Sequence, residues 1–460
     1  MIVPFGDYRP DLPALDNPGV TVARNVIPGP ASYRPLAGPV PYSGALPGRC
    51  QGAFAAQDAA GNVVNFAGTA TGLYRLSGTG WTEVTRATGG PYATPADGAW
   101  RFAQFGRLVI AVNGVDAPQK WTLGSSTGFA ALGGEPPVAA CVATVRDFVV
   151  MGRIGETPGR IRWSAINDAE SWAVSAATQA DFQDLPDGGW VQGIVGGEAG
   201  IVLQERAIKR MSYVGAPLVF QIDEIARGRG AAAPGSIAAC ERTVFFLDHD
   251  GFYALTGADG LTAIGDRRVD RTFWSRVDQR YLDRVSAAID PANKLYLVAY
   301  PAAGHVGGRP NRLLIYNWAA DRWSEAELEL DLLHTALSES SYDLDALDAV
   351  SASLDALDFS LDSRVWTGGL VLPALFDAES RLSLFTGPNL EAVVETGETQ
   401  LSPGGQALVT AMRPLADGGT VAAQVGTRDR PDAPVTWSGP SPRNAVGACP
   451  VRARGRYHRA

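Results

Sequence analysis

Lysine is almost missing from this chain: Lys120, Lys209 and Lys294 are the only ones, and arginine supplies the rest of the 39 basic residues. The bias reads as the mark of a GC-rich coding sequence rather than of a function. Histidine is nearly as scarce, and His249, His305, His334 and His458 fall in separate parts of the chain. No two stand at metal-ligand spacing, and no G-x-S-x-G segment offers a nucleophilic serine to any of them. Those gaps argue against a zinc site and a Ser-His-Asp hydrolase. Cys50, Cys141, Cys240 and Cys449 are far apart and form no C-x-x-C, so they read as reduced, buried small side chains of a protein assembled in the cytoplasm.

Long apolar runs are absent too. Nothing approaches the roughly 18 residues a membrane-spanning helix requires, and the opening MIVPFGDYRPDLP is broken by proline and charge before a leader-like stretch develops. The net charge of −9 argues against a sequence-reading nucleic-acid binder, while leaving room for a surface past which DNA slides. The glycines of GGEAG, residues 196–200, lack the lysine and spacing of a phosphate-binding loop. No cofactor is expected.

What the chain has is turns and short strands. Only 19% of its 460 residues are charged, 46% are hydrophobic, and 53 glycines and 31 prolines punctuate them. That balance favours many short strands around a substantial core. Residues 1–48 are proline-dense and read as an extended N-terminal arm, with VTVARNVI, residues 20–27, able to pair as an edge strand. Residues 49–401 fall into imperfect units of roughly 30–45 residues, each an apolar meander ending in an aromatic strand. Examples are VVNFAG to GWTEVTR, WRFAQFGRLVIAVNG, VAACVATVRDFVVMGRIG, residues 188–230, SIAACERTVFFLDHDGFYALTG, KLYLVAYP with RLLIYNWAADRWSEAEL, and residues 372–397. The prediction is an all-β protein, a β-propeller of about six or seven degenerate blades. Two stacked β-sandwiches are the competing architecture. Residues 402–460 read as a small C-terminal β domain.

Four patterns could carry chemistry. Asp248-His249-Asp250-Gly251 opens like a calcium loop but lacks a glutamate at the twelfth position, so it reads as an Asp-Gly turn between strands. Residues 341–363 place Leu347, Val350, Leu354, Leu357 and Leu361 at helical spacing, yet their Asp and Ser content suits an extended insertion equally well. Their acids, Asp343, Asp345, Asp348, Asp355, Asp358 and Asp362, form a solvated face, a cation site or a channel-facing loop that repels phosphate. Arg206, Lys209 and Arg210 form a basic edge. Arg452, Arg454, Arg456 and Arg459 read as four arginines on one face of a strand, able to meet phosphate, an acidic partner or a neighbouring subunit.

A set of short segments, in order, resembles the tail nozzle (tail hub) proteins of short-tailed bacteriophages. They are Asn17-Pro18-Gly19, Arg24-Asn25-Val26, Tyr33-Arg34-Pro35, Ile161-Arg162-Trp163-Ser164 with Asn167-Asp168 and Trp172, Gly188-Gly189, the run from Gln204 to Gly215, Asp250-Gly251-Phe252-Tyr253, Ile264-Gly265, Val269-Asp270 and SLDALDFSLDS. The resemblance implies a structural, non-enzymatic virion protein. It would form a ring, a hexamer, below the portal and adaptor proteins, beside tail fibre or tail needle proteins, and would pass double-stranded DNA without reading it. Arm residues Arg9, Asp11, Arg24, Asn25, Tyr33 and Arg34, with Arg452, Arg454 and Arg456, would then make subunit and adaptor contacts. The stop at Ala460, earlier than in such proteins, puts the pairing of the last strand in question. A receptor- or glycan-binding propeller, with or without glycosidase activity, is the other reading. It predicts a polar, aromatic-lined pocket on one propeller face.

Overall fold

Strand segments such as Leu108–Val112 and Leu295–Tyr300 are apolar along their whole length, rather than every second residue. A strand of that kind needs a hydrophobic neighbour on both faces. In the computed structural model, which describes residues 2–257, 260–338, 353 and 370–460, every blade has two such neighbours. The described residues form seven four-stranded antiparallel units arranged as a closed β-propeller.

The first strands of the blades are Gly52–Gln57, Arg101–Phe105, Ala139–Val145, Val191–Val195, Ala238–Cys240, Ser286–Asp290 and Leu330–Leu337. They line the centre. Gly52–Gln57 packs on Arg101–Phe105 on one side and on Leu330–Leu337 on the other, so the last blade meets the first. Each blade interface holds its own apolar cluster. Between blades one and two it is Phe66, Trp100, Val109, Trp121 and Phe129; between two and three, Ile110, Val112, Val149, Met151 and Trp172. Val109 and Ile110 are consecutive residues facing opposite blades, which explains the unbroken apolar run. Trp100 shows the scale: it is 2% exposed, its indole N–H bonds Thr69 O at 2.8 Å, and its loss to alanine would cost about 3–5 kcal/mol.

The ring closes through the N-terminal segment. Leu330–Leu337, Val371–Asp377 and Arg381–Leu384 supply three strands of blade seven, and Val40–Ala45 supplies the fourth. Val20–Arg24 adds to blade six, parallel to Arg322–Glu327 and antiparallel to Val393–Thr396. The stretch 1–48, expected to be an extended arm, thus contributes to two blades. The segment 372–397, expected to be one unit, divides between blades seven and six. Seven blades replace the six-or-seven estimate, and the sandwich alternative does not describe this topology.

Residues 402–460 form small sheets in which Ala407–Met412 pairs with Cys449–Gly455, and Gly426–Arg428 lies between Thr436–Trp437 and Tyr457–Arg459. The last strand is therefore paired. This unit is sewn to the outer edge of blade six by Thr399 N donating to His458 O (2.9 Å) and Thr396 N to Ala460 O (2.8 Å), beside the ion pairs Arg428–Glu398 and Arg459–Glu395.

Ser43 concentrates the closure in one hydroxyl. Its Oγ accepts the Trp81 indole N–H of blade one at 2.9 Å and the Leu382 amide of blade seven at 3.0 Å, in a site 7% exposed. Ser43→Ala leaves both donors without an acceptor, each worth about 1–3 kcal/mol when buried. The urea unfolding midpoint of that variant is expected to fall accordingly. An unchanged midpoint would show that closure does not depend on this contact.

Candidate functional site

The seven first strands leave a central channel, and arginine is concentrated at one end of it. A cavity of about 410 Å³ is lined by the first strands of blades one, two, six and seven, including Arg49, Phe54, Arg101, Phe102, Asp283, Arg284, Asp331 and His334. A second space of about 300 Å³ shares Arg49, Arg284 and Asp331 and adds His305 and Arg309. Arg49, Arg101, Arg284 and Asp331 stand at or just before the N-terminal end of their blade's first strand. Antiparallel blades start their inner strands at the same end of the ring, so residues distant in sequence converge there.

The acids of this site have partners. Asp331 lies at 3.1 Å from Arg309 Nε and accepts Ser380 Oγ at 2.6 Å. Burial still pushes its carboxyl above the usual range, against the pull of Ser380, Arg309 and Arg49. Asp283 pairs with Arg284 at 3.2 Å and is raised by burial as well. Two of the arginines are freer. Arg49 donates to Ala96 O at 2.8 Å, and burial first, then the nearby Arg284 charge, lower its pKa. Arg101 is crowded by protein yet keeps part of its surface on the channel, and burial lowers its pKa too. Neither forms an ion pair among the described residues.

His334 is the most unusual group here. It is 9% exposed, stacks on Phe376 with ring centroids 5.7 Å apart, and neither ring nitrogen has a hydrogen-bond partner. Burial lowers its pKa to about 4. Cys50, close by in the same interface, is pushed by burial to about 12, which makes it an inert thiol. Cys50, Cys141 and Cys449 are buried, Cys240 is partly so, and all four are free.

The arm residues singled out in the sequence are used within the chain. Asp11 accepts the amides of Arg271 (3.0 Å) and Thr272 (2.7 Å) at the start of the Asp270–Arg276 helix. Arg9 pairs with Asp7 at 3.4 Å, and Arg24 with Glu327 at 3.6 Å. Asn25 takes a left-handed backbone, φ 56°, donates to Glu391 O and accepts the Glu327 amide. Tyr33 donates to Gly6 O at 2.8 Å under the Arg322 guanidinium, and Arg34 reaches Asn293 Oδ1 at 2.7 Å on the surface.

At the other end of the chain, Arg452, Arg454 and Arg456 alternate outward from buried Val451, Ala453 and Gly455. Arg459 does not join them, contrary to the expectation of four on one face: it stands three residues from Arg456, which alternation puts on the opposite face, and it turns inward to Glu395. The expected basic edge of blade four is neutralised in part by Lys209–Glu224 and Arg210–Asp223 pairs across the hairpin. Asp248-His249-Asp250-Gly251 is the expected turn, with Asp248 N bonded to Gly251 O at 2.8 Å, and Arg229 bonds both Asp248 and Asp250. Among the described residues no cluster of three metal-ligating side chains occurs, and no helix is long and apolar enough to cross a membrane. Asp343, Asp345, Asp348, Asp355, Asp358 and Asp362 lie outside the described residues.

The sequence reading passed over Arg49, Arg101, Arg284, Asp331 and His334. The signal for all but His334 was their phase: aligning the units on their first strands would have placed Arg49, Arg101, Arg284 and Asp331 at one end of the ring, whereas His334 stands in mid-strand.

No family model matches the chain, and no curated protein matches it. Solved structures of similar shape include a chain of the mitotic checkpoint complex, at 10% identity and TM-score 0.44 over 79% of this chain and all of that one. The Swd1 β-propeller domain of Myceliophthora thermophila matches at 9% identity and TM-score 0.42, over 75% of this chain and 98% of its own. YCF48 bound to a D1 peptide matches at 8% identity and TM-score 0.41, over 79% and 96%.

Because His334 is held neutral well below the ordinary histidine pKa, folding releases its proton. Its contribution therefore favours the unfolded chain as pH falls from about 6.5 toward 4, at about 1.4 kcal/mol per pH unit. Compared with wild type, His334→Leu is expected to lose that part of the acid sensitivity in urea titrations across this window. Parallel pH profiles for the two proteins would contradict a neutral His334.

Proposed function

We propose that this chain is a structural, non-catalytic virion protein, the nozzle or hub of a short phage tail that forms part of the DNA exit channel. It would act as a ring, a hexamer in the family it resembles, beneath portal and adaptor proteins. It would hold the packaged genome in place and open for ejection. Assembly would take place in the host cytoplasm, with tail fibre or needle proteins as further neighbours. The observation that supports this reading is the exposed row Arg452, Arg454 and Arg456, which has no ion pair among the described residues although the whole chain carries a net charge of −9. A basic face on a small unit sewn to the rim of a rigid propeller is suited to docking on an acidic protein surface. The arm residues of the resemblance support it differently: they fasten the N-terminal segment to blade six and to the Asp270–Arg276 helix, as a rigid tube wall would require.

The glycan-binding reading also has an observation in its favour. It predicted a polar pocket with aromatic walls and clustered acids or arginines on one propeller face, and the arginine-lined cavity with Phe54 and Phe102 supports that reading.

Electron microscopy of particles from the producing strain, with antibody labelling of this chain, separates the two. A closed ring at the single tail vertex is the expected result, and label at fibre tips or no label on particles would overturn it. Arg452→Glu with Arg454→Glu is expected to reduce incorporation into particles about tenfold or more while leaving the melting temperature within a few degrees of wild type.

A further inference from the structure

The arginines of the channel mouth remain unexplained by a role in a tail. Among the described residues that line the two spaces, Arg49, Arg101, Arg284 and Arg309 meet two aspartates, Asp283 and Asp331, and both of those are already paired. Arg49 and Arg101 are therefore left with no ion pair among the described residues, in a partly enclosed space. Uncompensated charge in such a place is costly unless something neutralises it. Beside it, His334 is nine-tenths buried with both ring nitrogens unpartnered, although buried polar atoms are nearly always hydrogen-bonded. These are independent signs of the same missing partner: arginines without an ion pair, and an imidazole whose ring nitrogens have no hydrogen-bond partner.

We propose that this end of the channel binds a small organic oxyanion, a carboxylate or phosphate carried on a small molecule. Arg49 and Arg101 supply the charge, and His334 bonds the ligand as a neutral imidazole. The volume of about 410 Å³ suits a molecule of monosaccharide size, and the stacked Phe54 and Phe102 rings, centroids 5.8 Å apart, give it an apolar wall. Guanidinium groups suit planar, multidentate recognition of either anion. The ligand would touch first strands of blades one, two and seven together, so its binding would tie the closing interface of the ring. This inference does not depend on where the protein resides.

The test is calorimetric titration and thermal melting of the full chain with inorganic phosphate and, separately, with glucuronate, each against sodium chloride at equal ionic strength. One or both probes are expected to bind and raise the melting temperature in proportion to occupancy, where chloride does not. A response to phosphate alone assigns a phosphoryl ligand, and a response to glucuronate alone a carboxylate. Arg49→Gln and Arg101→Gln are each expected to weaken binding about tenfold or more, and His334→Leu several-fold. Wild-type protein that gives neither heat nor a melting shift with either probe would overturn the proposal, whether or not the variants fold. Binding left intact in both arginine variants would overturn it as well.

Discussion

Ring closure is the constraint on which the rest of this molecule depends. Seven blades with two apolar faces each leave no blade able to stand with one face exposed, so the first and last must meet. The interface that joins them, with Leu46, Cys50, Tyr74, Leu76, Ala374, Phe376 and Leu382, is an apolar cluster like the other six. It differs in being built by chain segments from opposite ends. Val40–Ala45 pairs with Arg381–Leu384 across more than 330 residues, so closure is paid for in loop entropy before its contacts form. The neighbouring N-terminal contacts make that segment hard to release. Asp11 caps a helix between blades five and six, Tyr8 is buried against blade six, and Arg322 bonds Gly29 O.

The same closure gives the channel its chemistry. Inner strands that begin at one end of the ring bring Arg49, Arg101, Arg284 and Asp331 together from positions spread over almost three hundred residues. His334 lies in the closing interface itself, stacked on Phe376 of the next strand. Polar groups here have little freedom to relax, because the strands bearing them are fixed by apolar clusters on both sides. Arg309 and Ser380 settle the Asp331 carboxylate in its place, so the arginines that lack such a partner stand out against a background of satisfied groups.

Much of the fold was legible in the sequence because blade strands are local. The units at Trp100, Val138, residues 188–230 and Ser236 each correspond to a meander whose strands are sequential and whose turns, such as Asp248 to Gly251, declare themselves. The pairing of residues 40–45 was not legible. VPYSGA has no strong alternation, and its partner lies at the far end of the chain, so nothing local sets it apart from the prolines around it. The seventh unit was misjudged for the same reason: Val371–Asp377 and Arg381–Leu384 stay together, while Val393–Thr396 crosses to blade six to pair with Val20–Arg24. The C-terminal arginines show how far a local rule carries. Alternation places Arg452, Arg454 and Arg456 on one face, and Arg459, an odd number of residues further on, falls out of the series by the same rule.

The candidate site was the least legible part, since a propeller separates its functional residues by whole blades. Residue type alone could not single out Arg49 or Arg101 in a chain where nearly every positive charge is an arginine. Partnership does. Arg268 is held in a fork by Asp321, Arg428 by Glu398 and Arg276 by Glu325, each an arginine with a structural task. Among the described residues, Arg452, Arg454 and Arg456 on the rim and Arg49 and Arg101 in the channel lack such acids. The first group is open to solvent, where a large flat partner would reach it; the second is partly buried at the channel mouth, which would suit a small ligand. Under the two proposals, the difference in exposure would suit the two sets to different kinds of partner, since rim and channel are built from opposite edges of the same blades.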